Sequence, residues 1–199
     1  MAWSAERKAG TILSAIAAAE GWWVWINLHA SPERFFVYTG FRNSHAGTVG
    51  WLLALSVFAV FTTYSVRRFP SVRATLVSWS ALKVLALAVA ITAGFCEEAI
   101  FRKWLMDRLA HAHYGVTLQV LASALAFGLL HGVWGAFRGS IIAAMGATIA
   151  TGALGCALAA VYLMSHRVLA PCILSHFLIN VFVEPGLVLA AVRGEISRP

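Results

Sequence analysis

Three short spacings in the 199-residue chain put ionisable and amide side chains where hydrolytic chemistry could use them. The first is Glu97-Glu98-x-x-x-Arg102. Glu98 and Arg102 are four apart, so on a helix they share a face and can form an ion pair. Glu97 points about 100° away at 3.6 residues per turn and lacks that partner. One carboxylate is thus charge-compensated, and its neighbour is left to act as a base. The second spacing is Phe127-x-x-x-His131. Glu97 and His131 lie equally far in sequence from Tyr114, in the polar stretch His111-Ala112-His113-Tyr114-Gly115, the natural turn between two helices. In an antiparallel hairpin they reach the same depth, about 25 Å from the turn, as a Glu/His pair acting on one water requires. The third is His176-x-x-x-Asn180, two hydrogen-bond donors on one helix face, suited to a developing oxyanion.

Each spacing also has a plainer reading. The Glu-Glu-Arg group can knit a helix end to a loop, His131 can bond a neighbouring carbonyl, and His176 with Asn180 can glue two helices. Chance from the chain's own composition produces all three together with odds on the order of 10⁻³ or lower, and the first motif carries nearly all of that weight.

The elements that must hold these groups are membrane helices. Hydrophobic residues make up 60% of the chain and charged residues 12%, and the mean hydropathy is +0.79. A soluble domain carries about twice that charged fraction, ~25%, so a soluble enzyme is excluded. The formal charge of +7 does not indicate nucleic acid. The basic residues flank apolar runs (Arg7-Lys8, Arg67-Arg68-Arg73, Lys103-Arg108, Arg167, Arg193-Arg198), where they anchor helix ends. Cys96, Cys156 and Cys172 lie inside apolar stretches and read as packing residues rather than a disulfide framework.

Helices are expected over about 9–28, 47–66, 75–94, 96–110, 117–135, 139–165 and 168–190, each near the ~20 residues that cross a bilayer. The segment from Ala30 to Gly47 reads as a loop. Trp22, Trp23, Trp25, Trp51, Trp79, Trp104 and Trp134 fall near the ends, as interfacial aromatics do. The expected fold is therefore all-α: one polytopic transmembrane bundle over residues 1–199, with two N-terminal membrane helices in 1–66 and the chemistry in 75–183. A break near Gly94 gives seven membrane helices, and one long protruding helix gives six. Either version puts more Lys and Arg on the side of the N-terminus than across, which favours that terminus inside. The first run reads as a retained helix rather than a cleaved leader. Other ionisable residues in or near the spans read as bland. Lys83 snorkels, Glu20 sits by a Gly-Trp interface, and Glu184 is interfacial at a helix break before Pro185. One spacing is awkward: a straight helix over 139–165 holds His176 too far from His131, so a kink near Gly146, Gly152 or Gly155 is expected.

These motifs, in this order on successive membrane helices, resemble the CAAX-protease and bacteriocin-processing family of intramembrane endopeptidases, over roughly residues 75–183. Lys103 departs from the Gly that many relatives carry after the motif Arg. The resemblance implies that Glu97 activates water with the help of His131. It further implies that His176 and Asn180 steady the oxyanion and that Glu98 and Arg102 organise the site. It implies a membrane-associated peptide or protein as substrate, membrane lipids as surroundings, no nucleic acid, and a multi-pass protein of a cell membrane, the bacterial inner membrane foremost. The family has been described both as metalloproteases and as metal-free glutamate proteases. Zinc needs about three protein ligands, which Glu97, His131 and His176 could supply, but no His-Glu-x-x-His helix is present. The expectation is no cofactor, with zinc as the alternative. Two other readings stand beside the protease: a non-proteolytic immunity or scaffold protein binding a membrane peptide, and a zinc- or haem-binding membrane protein using His131 and His176.

Overall fold

In hydrocarbon each unpaired backbone N–H or C=O costs several kcal/mol, so apolar runs of this length close their hydrogen bonds internally as helices. The computed structural model describes residues 3–136 and 140–196. Among the described residues there is no strand. Helix α1 spans Ala5–Ala30, α2 Pro32–Tyr38, α3 Gly47–Arg68 and α4 Pro70–Thr75. Helix α5 spans Ala81–Glu98 and runs on as a π-helical stretch, Ala99–Met106, into α6, Asp107–His111. Then follow α7 (Val116–Ala136), α8 (Ile141–Met164), α9 (Ala170–Phe182) and α10 (Glu184–Arg193). Serine side chains start three of the spans: Ser4, Ser80 and Ser140 accept from the N–H groups of Arg7, Lys83 and Ala143. Each satisfies a donor that the first helical turn leaves orphaned.

Among the described residues five helices are long and apolar enough to cross a membrane, and α9 with α10, bent by 50°, makes a sixth. A seventh span is not formed, because Ala81–His111 is one unbroken helical run of 31 residues. At 1.5 Å per residue it is about 46 Å long and outreaches a ~30 Å core. Gly94 serves packing rather than a break: a Cβ there would lie 3.5 Å from the Ile173 carbonyl of α9. Residues 75–80 do not belong to this helix, since α4 closes at Thr75 and Ser80 is the extended N-cap of α5. The expected loop from Ala30 to Gly47 contains α2, whose start is written as Ser31-Pro32-Glu33, with Ser31 accepting from the Arg34 N–H and Pro32 in the first turn. Helix α8 is continuous from Ile141 to Met164, so the expected kink is absent. The side chain of Trp134, the proposed helix start at Gly139 and the anchor Arg198 lie outside the described residues.

Helix α5 packs against α1 and α9, and its π-helical continuation packs against α7, which in turn lies along α8. The α7–α8 contact is close because Gly128, Gly152 and Gly155 leave room for backbone; a Cβ on Gly128 would stand 2.5 Å from the Thr148 carbonyl oxygen.

The bend between α9 and α10 explains Lys83. Pro185 has no N–H, so the Val181 carbonyl loses the donor that a continuous helix would supply. Lys83 supplies one instead: its Nζ donates to Val181 O and to Leu76 O, both at 2.9 Å. With 7% exposure the ammonium does not snorkel; two orphaned carbonyls at helix ends lie closer than water does. We expect Lys83→Met to destabilise the fold by about 1–3 kcal/mol, the cost of an unmet buried hydrogen bond. Pro185→Ala in that background should recover part of the loss by restoring the backbone donor. Thermal unfolding in detergent, arranged as a double-mutant cycle, measures the coupling.

Candidate active site

The last α-helical turn of α5 presents Glu97 and Glu98 to different neighbours, as a 100° step requires. Glu98 is fully buried, and so is Arg102; the Arg102 Nε lies 3.2 Å from Glu98 Oε2. The other oxygen, Glu98 Oε1, accepts from His176 Nδ1 at 2.7 Å. This gives a chain of Arg102, Glu98 and His176 that the sequence spacing only half revealed. Arg102 also donates to the Gly155 carbonyl of α8 at 3.5 Å, and its guanidinium stands 4.5 Å above the centroid of the Phe127 ring. Four helices thus meet on one buried ion pair, whose cation an aromatic face stabilises on the side where hydrogen bonds run out. The π-helical stretch begins at Ala99, directly after the carboxylate pair. Such i→i+5 turns are rare and concentrate at functional sites. Nothing in the hydrophobic spacing announced it.

Glu97 faces two imidazoles. Its Oε2 lies 4.0 Å from His131 Nε2 and 3.8 Å from His176 Nε2. The tautomers follow from the partners. His131 Nδ1 is 2.9 Å from the Phe127 carbonyl, which can only accept, so this nitrogen carries the proton. His176 Nδ1 likewise faces the Glu98 carboxylate. In its neutral form each ring then turns an unprotonated Nε2 toward Glu97. The Glu97 side chain is 12% exposed against 0% for Glu98, so of the two carboxylates it is the one that water reaches.

Phe127 was read only as the start of a motif. Its ring packs 4.5 Å from the His131 ring and 5.8 Å, edge-on, from that of His176. Combined with its place under Arg102, this makes it the platform on which the cation and both imidazoles rest. The available signal was its position four residues before His131, where its carbonyl is bound to meet the ring.

His176 reaches the site without any kink in α8 because the level of α9 is set elsewhere. Arg167, in the α8–α9 turn, pairs with Asp107 at 2.7 Å and donates to Gln119 Oε1 at 2.6 Å. Tyr162 OH and Lys103 Nζ also bind Asp107, at 3.0 and 3.2 Å. Glu97 precedes Asp107 by ten residues and His176 follows Arg167 by nine, so the clamp brings them to one depth. No kink is needed, because Arg167 in the α8–α9 turn meets Asp107 a full helical turn short of the α6–α7 turn. Lys103, the departure from the family pattern, belongs to this clamp. Asn180 sits one turn beyond His176 on the buried face of α9, 7% exposed.

Two residues read as bland take part in the packing instead. Glu20 of α1 accepts from the Thr92 hydroxyl of α5 at 3.2 Å. Glu184 stands at the bend, and its Oε2 is buried without a hydrogen-bond partner among the described residues. Depth along a single helix placed both near an interface; the packing of α1 and α10 around α5 turns them inward. Among the described residues no group of three or more His, Cys, Asp or Glu side chains is arranged to hold a metal ion.

Residues 78–182 match the family model described as type II CAAX prenyl endopeptidase Rce1-like, a segment that contains Glu97, Glu98, Arg102, His131, His176 and Asn180. No curated protein and no solved structure matches the chain. The family consists of proteases that act on membrane-associated proteins. Since the matched segment takes in more than half of the 199 residues and the described helices form a polytopic membrane bundle, the chain belongs to the Rce1-like type II CAAX prenyl endopeptidases.

Proposed function

We propose that this protein hydrolyses a peptide bond in a membrane-associated peptide or protein, with water activated by Glu97 and His131 and without a metal. The observation that carries the reading is the arrangement of Glu97 Oε2 opposite two Nε2 atoms at 3.8 and 4.0 Å. A water about 2.8 Å from both atoms of either pair fits that separation. With Glu97 and His131 both accepting from it, a lone pair on the water oxygen is left to attack the peptide carbonyl. The C–O bond forms as a proton passes to Glu97; the C–N bond then breaks as that proton goes to the leaving amine. Asn180 offers an amide donor to the oxyanion. His176, held through Nδ1 by the Glu98 carboxylate, turns its Nε2 to the same place and donates there whenever that atom carries a proton.

Donor spacing supports the metal-free reading. Ligand atoms bound at about 2.0 Å to a tetrahedral zinc stand roughly 3.3 Å apart, closer than either Glu97–imidazole pair here. Glu98 and Arg102 hold His176 in place and take no direct part.

Purified protein in liposomes, given a quenched fluorescent membrane-anchored peptide, tests the mechanism. Glu97→Gln should lower kcat/KM by at least about 10³-fold and His131→Ala by about 10²–10³-fold, with insertion and thermal stability retained. Turnover by Glu97→Gln at the wild-type rate overturns the reading, and saturable binding of the peptide without cleavage by the wild type assigns a peptide-binding role instead. Extended treatment with a chelator should leave the rate within about twofold, since no ligand shell is emptied. A loss of activity restored by stoichiometric zinc would transfer the chemistry to a metal held by Glu97, His131 and His176.

A further inference from the structure

We propose that Arg167, in the α8–α9 turn, and Asp107, at the start of α6, are positioning residues: their ion pair sets the level of α9 along its axis and so brings His176 and Asn180 to Glu97. This deepens the proposed function and rests on the reading of Glu97, His176 and Asn180 as the reacting groups. Helix α9 begins at Ala170, three residues after Arg167. His176 follows six residues into it and Asn180 ten, about 9 and 15 Å along the axis. Backbone hydrogen bonds tie each turn of a helix to the next, so an axial shift at its start reaches both side chains undiminished. The start is held by charge. Arg167 Nη1 lies 2.7 Å from Asp107 Oδ1, and Arg167 Nη2 donates to Gln119 Oε1 of α7 at 2.6 Å. Lys103 Nζ lies 3.2 Å from Asp107 Oδ2 and donates to the Arg167 carbonyl at 3.4 Å, which holds the main chain of the turn as well.

The backbone of the turn supports this role. His166 and Arg167 stand at φ +54° and +61°, in the left-handed region. Helix ends commonly place glycine there, because a Cβ makes that conformation costly. Here the Arg167 N–H closes the end of α8 on the Tyr162 carbonyl at 2.9 Å, and the side chain that a glycine would lack makes the tie to Asp107. The two side chains of the pair are 31% and 21% exposed, and an ion pair that open to water adds little to stability. Strain borne for so little stability is accounted for by placement: a catalytic group displaced by even 1 Å costs about 10²-fold in rate. Lys83 holds the far end of α9 at the Val181 carbonyl, so loss of the near tie shifts the helix instead of releasing it.

The strained backbone lets the test separate placement from stability. In the liposome assay, Arg167→Leu should lower kcat by roughly 10- to 100-fold with KM within about twofold. Arg167→Gly relieves the left-handed backbone and should unfold at a higher temperature than Arg167→Leu, yet its kcat should be as low. Arg167→Lys, which keeps a cation for Asp107, should stay within about fivefold of the wild-type kcat. Adding Asp107→Leu to Arg167→Leu should lower kcat by less than about threefold beyond the worse single variant, because both remove one tie. Wild-type kcat in Arg167→Leu and Arg167→Gly, with Glu97→Gln inactive beside them, overturns the proposal and leaves the role of Glu97 standing. A kcat that recovers along with stability in Arg167→Gly also overturns it, since the pair would then serve the fold alone, and so do losses that multiply in the double variant. Full activity of Glu97→Gln overturns the reading beneath the proposal and the proposal with it. Should Arg167→Leu fail to accumulate, Arg167→Gly and Arg167→Lys decide, and equal kcat in those two overturns the proposal.

Discussion

The structure turns on the burial of one charge pair. Arg102 and Glu98 have no exposed surface, and taking two ions out of water costs several kcal/mol each unless their remaining hydrogen-bonding groups are met. The demand is answered in part by regions of the chain far apart in sequence: the Gly155 carbonyl on α8, the Phe127 ring on α7 and the His176 imidazole on α9, while Arg102 Nη1 has only the aromatic face beside it. Because each answer lies on a different helix, satisfying the pair also assembles the bundle around it. The imidazole that completes the pair is thereby fixed in orientation, with its second nitrogen toward Glu97. The same side chains that satisfy the buried pair also set the geometry on which the proposed hydrolysis rests.

The adjacent carboxylate has the opposite surroundings. Among the described residues Glu97 is paired with no guanidinium, and what it faces are the imidazoles of His131 and His176. Sequence neighbours on a helix are the simplest way to place two identical groups a few ångströms apart in unlike environments. One of them is locked in an ion pair. The other is left free of that pairing, as the base of the proposed reaction must be.

Much of this was legible from spacing. The division between Glu97 and Glu98 follows from helical periodicity, and the meeting of Glu97 with His131 follows from a hairpin centred near Tyr114. The limit was reached where position depends on something other than distance from a turn. His176 was judged out of range because Asp107 and Arg167, the pair that levels α9, look like ordinary helix-end charges. Lys83 was read as snorkelling because a sequence shows the missing N–H of Pro185 without showing which ammonium lies beside the vacated carbonyl. Glu20 and Glu184 were set aside for the same reason: depth along a helix is one-dimensional, and the face a helix turns inward depends on its neighbours. The break at Gly94 was one of two ways to fit a run longer than the bilayer core, and length alone does not choose between them; the helix stays continuous and outreaches the core.

Helix α9 is fastened at both ends, by Arg167 to Asp107 just before its first residue and by Lys83 to the Val181 carbonyl near its last. A rod bolted at two points does not swing, so it serves as the stationary jaw of a vice, with His176 and Asn180 as its teeth. The work of letting in a polypeptide then falls to the staves without such bolts. Foremost among these is α1, whose most apolar window is only 11% buried.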